Sequence, residues 1–177
     1  PQGLGRQLIP KPTHMPTPIL AIHGGAGTIT RSAMDADKEA AYQQALNDIL
    51  AAGQRILVAG GSALDAVTEA VRLLEECPLF NAGKGAVFTS AGRNELDASI
   101  MDGRTLKGGA VGGVTTLKNP IIGARAVMDK TPHVLLTNIG AEAFAKGAGL
   151  QIVKPDYFRT DHRWQQLQEW KKKIFLP

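Results

Sequence analysis

The sequence predicts a layered domain of mixed helices and strands, α/β or α+β, on three observations. Residues 35–59 and 62–76 place apolar side chains at helical spacing. Residues 95–100 alternate polar and apolar strictly, which is the period of a half-buried strand. Short apolar runs at 19–22 and 133–137 are bounded by glycine or proline, as buried strands are. Such a mixed order supports a layered domain and nothing finer. The 177 residues suit one domain with a sizeable core. With 20 glycines and only 5% aromatics, that core relies on tight turns and close backbone approach, not on bulky rings.

In chain order, residues 1–17 are Pro-rich and aperiodic and read as a disordered leader, in which residues 1–14 precede Met15 as the natural start. Ile19–Ile22 is expected as a buried strand running into the glycine loop His23-Gly24-Gly25-Ala26-Gly27. A long helix follows from Asp35 to Ala59, with Tyr42, Ala45, Ile49 and Ile56 on one face, closed by Gly60-Gly61. Ser62 with Asp65 resembles a capping box for the next helix. There Leu64, Val67, Val71 and Leu74 form the apolar stripe, and Asp65, Glu69, Arg72 and Glu76 the polar one. Ala63, Ala66 and Ala70 let this helix pack closely on a neighbour, and Pro78 stops it.

Residues 95–116 read as a hairpin turning at Asp102-Gly103. Its return strand holds Gly108, Gly109, Gly112 and Gly113, whose usual justification is close approach by another layer, backbone or ligand. Asn119-Pro120 starts a helix that Pro132 ends. His133–Thr137 is a short strand, a helix then runs to Gly147–Gly149, and Thr160-Asp161 starts a last helix bearing Trp164 and Trp170. Residues 169–177 are expected as a flexible or aberrant tail.

Several function classes are excluded early. The net charge of +4 gathers at the ends, in Arg6, Lys11 and Lys171–Lys173, and no basic face is interleaved with aromatics. Nucleic-acid binding is therefore not expected. No apolar run approaches membrane-spanning length, so no membrane partner is expected either. Cys77 is the single cysteine, which points to a reducing compartment; with no signal-peptide core, a cytoplasmic protein is expected. No His/Cys/Asp/Glu spacing matches a zinc site, and no catalytic cofactor is implied.

Three features invite chemistry, each with a plainer reading beside it. His23 is a catalytic histidine or one whose ring fixes local backbone by hydrogen bonding. Gly24-Gly25-Ala26-Gly27 is a small-anion cradle or a turn; it lacks the Lys-Ser/Thr ending of a P-loop and the spacing of a dinucleotide fingerprint. The loop after Pro78, holding Asn81, Gly83 and Gly85, turns carbonyls inward for a hard cation or is a tight helix-to-strand connection.

Four stretches together are more specific. Ala21-Ile22-His23-Gly24-Gly25-Ala26-Gly27, Ser62-Ala63-Leu64-Asp65-Ala66-Val67, Glu75-Glu76-Cys77-Pro78-Leu79-Phe80-Asn81-Ala82-Gly83 and Glu95-Leu96-Asp97-Ala98-Ser99-Ile100-Met101-Asp102-Gly103 resemble, in this order, motifs of the plant-type L-asparaginase/isoaspartyl peptidase family of N-terminal nucleophile hydrolases. The resemblance covers residues 18–168, which it identifies as an α-subunit. It implies an α+β fold, an αββα sandwich of which this chain is one half.

The resemblance also implies a precursor that cleaves itself, releasing a β-subunit that begins with threonine. That hydroxyl is the nucleophile and its α-amine, with a pKa of about 7.7–8.0, the base. The small-molecule substrates are asparagine and β-aspartyl dipeptides. No nucleophile is then expected in this chain. Asn81, Gly24 and Gly25 would support the threonine, and the main-chain carbonyls of Leu74, Glu75, Cys77, Phe80, Ala82 and Lys84 would bind a structural sodium. Lys84 suits that position if its ammonium points away. Two αβ units would assemble as (αβ)2. Two departures stand out: no Thr-Val-Gly β-chain start occurs, and the one Gly-Thr bond, Gly27-Thr28, lies where cleavage would remove the first strand. The alternative is a non-catalytic domain that binds a small anion or a partner without a β-subunit.

Overall fold

The computed structural model describes residues 17–25 and 34–174. Most of the expected leader, residues 1–16, and Ala26 and Gly27 of the glycine loop lie outside the described residues.

Helix α1, Ala36–Val58, begins where the Asp35 side chain accepts the Lys38 N–H, and turns off at Gly60 in a left-handed conformation (φ +82°). Helix α2, Ala63–Glu76, starts at Ser62, whose hydroxyl oxygen accepts the Asp65 N–H. The two pack through small residues. Ala66 and Ala70 are buried, and Gly53 on α1 lets the Ala66 carbonyl and the Leu20 side chain close in. The polar stripe of α2 is tied together by Arg72, which bridges Glu69 at 2.7 Å and Glu76 at 2.9 Å.

Strands β1, Leu96–Met101, and β2, Gly108–Val114, form the antiparallel hairpin, and β3, Leu135–Thr137, adds parallel to β2. The turn is longer than Asp102-Gly103 suggests. Asp102 donates its N–H to the Lys107 carbonyl and accepts from Leu106 N–H, while its carboxylate takes the Arg104 N–H and Thr105 hydroxyl. One extra residue on β2 between Val111 and Val114 makes a bulge at Gly113 (φ +63°), whose N–H reaches Asp97 Oδ1 at 2.8 Å. The bulge puts Val111 and Val114, three residues apart, on the same buried face.

Helix α3, Pro120–Lys130, is the crossover that a parallel β2–β3 pair requires. It lies on β1 and β2, where Gly109 leaves no room for a side chain against the backbone of Ala124 and Met128. Gly109 and Gly113 thus have a structural reason; Gly108 and Gly112 lie on the opposite face. Helix α4, Asn138–Gly147, covers the same side as α3, with Ala141 and Ala145 buried against Val111 and Val114. Helix α5, Asp161–Ile174, takes in residues 169–174 of the segment expected as a tail.

Helices α3 and α4 cover one face of the sheet. On the other, Asp97, Ser99, Met101, Leu135 and Thr137 are exposed, Met101 by 61% and Leu135 by 54%. Ile19–Ile22 departs from expectation. It is not a strand, and Ile19 is 91% exposed. A strand exists only with a neighbour to complete its hydrogen-bond ladder, and none of the described residues provides one.

Candidate functional site

The site grows from the connection between α2 and β1. Helix α2 ends because Pro78 cannot continue it, and Cys77 already has extended geometry (φ −92°, ψ 119°). The chain then folds over two glycines. Gly83 (φ +48°) has no room for a Cβ against the Glu75 carbonyl, nor has Gly85 against the carbonyls of Phe80 and Pro78. Phe80 anchors the loop, buried edge-on against Tyr42 with ring centroids 5.8 Å apart.

Side-chain donors from elsewhere in the fold then take particular carbonyls. Tyr42 Oη donates to Leu79 O at 2.9 Å, and Arg163 Nε to Gly85 O at 2.8 Å. Buried Asn94 donates through Nδ2 to Ala86 O and Val87 O at 2.9 and 3.2 Å. The carbonyls of Glu75, Phe80 and Lys84 receive no hydrogen bond among the described residues. Each belongs to the set expected to hold sodium; the other three carbonyls of that set, Leu74, Cys77 and Ala82, accept the N–H groups of Cys77, Phe80 and Gly85. Lys84 directs its Nζ to the Tyr157 ring, 5.7 Å from the centroid. Among the described residues no three His, Cys, Asp or Glu side chains are arranged to hold a metal. A cation here would rest on main-chain oxygen, which suits a hard ion.

Asn81 stands exposed at the loop's crest. Its Oδ1 accepts the Val87 N–H at 2.9 Å, so the amide cannot flip and Nδ2 is left to donate. Beside it opens a recess of about 370 Å3, lined among others by Glu75, Asn81, Glu95, Asp97 and Ser99. The glycine loop approaches the same corner. A Cβ on Gly24 would meet Phe80 Cε1 at 3.0 Å, and Gly25 (φ +114°) adopts a conformation that favours glycine. His23 takes the plainer of its two readings: Nδ1 accepts the Gly25 N–H at 3.3 Å. Gly24 therefore packs against Phe80 of the loop that carries Asn81.

Glu75 was singled out only for its carbonyl, yet the residue is buried, with 3% exposure. Oε1 accepts the Ile121 N–H at 2.8 Å, while among the described residues Oε2 and Asn119 Nδ2 lack a hydrogen bond of good geometry. Burial pushes this carboxyl up to about 7, against the opposing pull of the Ile121 N–H and the Asn119 amide. The signal was present in the sequence: Glu75 falls four residues after Val71, on the apolar stripe. No such signal announces Asn94 or Arg163.

The sequence profile of the asparaginase family matches residues 16–176. The chain belongs to the asparaginase family. This asparaginase-family chain is 56% identical over 149 residues to an isoaspartyl peptidase of Salmonella typhimurium, covering 84% of this chain and 48% of that protein. It is 55% identical over 154 residues to the isoaspartyl peptidase of Escherichia coli, covering 87% and 48%. A plant-type L-asparaginase of Pyrococcus abyssi is 43% identical over 162 residues, covering 86% and 52%. The chain spans about half the length of the relatives it matches.

Proposed function

We propose that this chain is the α-subunit of an amidohydrolase acting on L-asparagine and β-aspartyl dipeptides, active together with a β-subunit that begins with threonine. The observation that carries the reading is the held amide of Asn81, on the loop whose Phe80 packs against Gly24, in a chain more than half identical to isoaspartyl peptidases.

The β-subunit, formed by autocatalytic cleavage, brings its threonine to this corner. The threonine hydroxyl attacks the side-chain amide or β-linked peptide carbonyl, and its own α-amine takes the proton. An acyl-enzyme forms through an oxyanion, ammonia or an amine leaves, and water releases aspartate. Asn81 has Nδ2 free to donate and so orders the threonine or its oxyanion, not the proton transfer. Gly24 and Gly25 line the threonine through their backbone.

The fold supports the same partner. The bare face of the β1–β2–β3 sheet would stack on a second sheet, completing an αββα sandwich, and Ile19–Ile22 would find there the strand neighbour it lacks. Two αβ units would then form (αβ)2. The carbonyls of Leu74, Glu75, Cys77, Phe80, Ala82 and Lys84 would hold sodium, those of Leu74, Cys77 and Ala82 while also accepting a backbone N–H, and its contribution would be to stiffen the loop carrying Asn81. The single cysteine agrees with a cytoplasmic site of action, and among the described residues no helix is long and apolar enough to cross a membrane.

Intact mass and N-terminal sequencing of whatever purifies with this chain test the reading. A companion starting with threonine, with turnover of β-aspartyl dipeptides, is expected. A chain that purifies alone and turns nothing over would sink it.

A further inference from the structure

We propose that the Glu75 side chain is a positioning residue for Asn81: by accepting the Ile121 N–H it ties the Asn81 loop to the start of α3 and sets where the amide faces the recess. The inference rests on reading Asn81 as part of the working site.

The first turn of any helix leaves N–H groups without partners, and a nearby carboxyl satisfies them well. In α3 the N-cap residue, Asn119, makes no side-chain cap. The cap comes instead from Glu75, 46 residues earlier in the chain. A helix capped from such a distance is held in place relative to its capping residue.

The other side of Glu75 faces the loop. Its carbonyl and Cβ fill the space that a side chain on Gly83 would need, so Glu75 and Gly83 are in direct apposition. Asn81 lies two residues before Gly83 and is bonded to Val87 beyond it. Ile121, Glu75, Gly83, Asn81 and Val87 therefore form one continuous series of contacts, and all five line the same recess. The alternative, that Glu75 is merely a buried polar residue of the core, predicts no coupling between its acceptor atom and the Asn81–Val87 bond.

The role needs an acceptor at Oε1, so glutamine should preserve it and alanine or leucine should abolish it. The test uses the mature protein with its companion chain and the variants Glu75→Gln, Glu75→Ala, Glu75→Leu and Val127→Ala. The last is buried in α3, away from the recess, and controls for lost stability. Leucine keeps the volume should alanine fail to fold. Steady-state kinetics on a β-aspartyl dipeptide, thermal midpoints, and amide hydrogen exchange at Val87 and Ile121 are measured.

Removing the acceptor should lower kcat by about tenfold or more at unchanged KM, as expected when a group acting at the chemical step is displaced. It should also release the Val87 amide to exchange. Glutamine should restore both, and Val127→Ala should change only the midpoint. Unchanged Val87 protection in the acceptor-free variant overturns the inference, as does an equal loss of kcat in Val127→Ala. Unchanged turnover in Asn81→Ala would instead overturn the reading of the site, and Val87 exchange then decides the inference alone.

Discussion

Two segments meet at the candidate site and are held very differently. The loop from Cys77 to Val87 is anchored by Phe80 and gripped by donors from Tyr42, Asn94 and Arg163. The segment Thr17–Gly25 touches the domain through Leu20, Ile22 and Gly24, while Ile19 and His23 are exposed. The difference teaches where each gets its hydrogen bonds. A loop can satisfy its backbone with side chains of its own domain, whereas a strand needs another strand. The held segment presents a finished surface, and the other a half-finished one.

The largest expected effect lies on the held side. Phe80→Ala removes the loop's anchor and should cost about 3–5 kcal/mol in denaturant unfolding. A loss below about 1 kcal/mol would mean that the polar grips alone hold the loop. Asn81→Ala should leave stability nearly intact but lower kcat about 100-fold, the scale for losing one preorganised donor at a developing charge. Unchanged kinetics would remove Asn81 from the site.

Glu142 extends the comparison to the sheet. Its Oε1 accepts the N–H groups of Thr115 and Thr116 and the Thr115 hydroxyl, at 2.6, 2.9 and 2.9 Å. Burial alone would raise its pKa; these donors outweigh burial and hold the carboxyl below the usual carboxylate range. The folded state therefore favours the ionised form. That stability is fully present above the ordinary pKa and is lost as pH falls through the lowered one. Glu142→Gln should cost about 1–2 kcal/mol at neutral pH, with the gap to the parent closing in acid. A gap independent of pH would show that charge plays no part. The smallest effect belongs to the loose segment: Ile19→Ser should change the stability of this chain alone by less than about 0.5 kcal/mol. A larger loss would show that the segment is already packed without a partner.

Much of the fold was legible beforehand. The spans of α1, α2 and the hairpin followed from period and caps, because those signals are local. Gly109 announced a close approach, and α3 supplied it. The expected strand at Ile19–Ile22 failed for the same physical reason that makes strands harder to read than helices: its stability depends on a partner outside the segment. Within the site, the tight connection after Pro78 was legible from its glycines, and Glu75 from its place on an apolar stripe. Asn94 and Arg163 were not, since nothing near them in sequence marks the carbonyls they reach.

The sequence by itself determined the helices, the hairpin, the family motifs and the inventory of carbonyls around Gly83 and Gly85. Those depend on residues a few positions apart. Only the tertiary structure decided which carbonyls accept no hydrogen bond among the described residues, that Lys84 turns to Tyr157, that Glu75 caps a distant helix and that the described residues leave one face of the sheet exposed. Each of these depends on a partner far along the chain: Arg163 reaches Gly85 across 78 residues, and Glu75 reaches Ile121 across 46. No local pattern encodes such a pairing, because it exists only once the chain has folded back on itself.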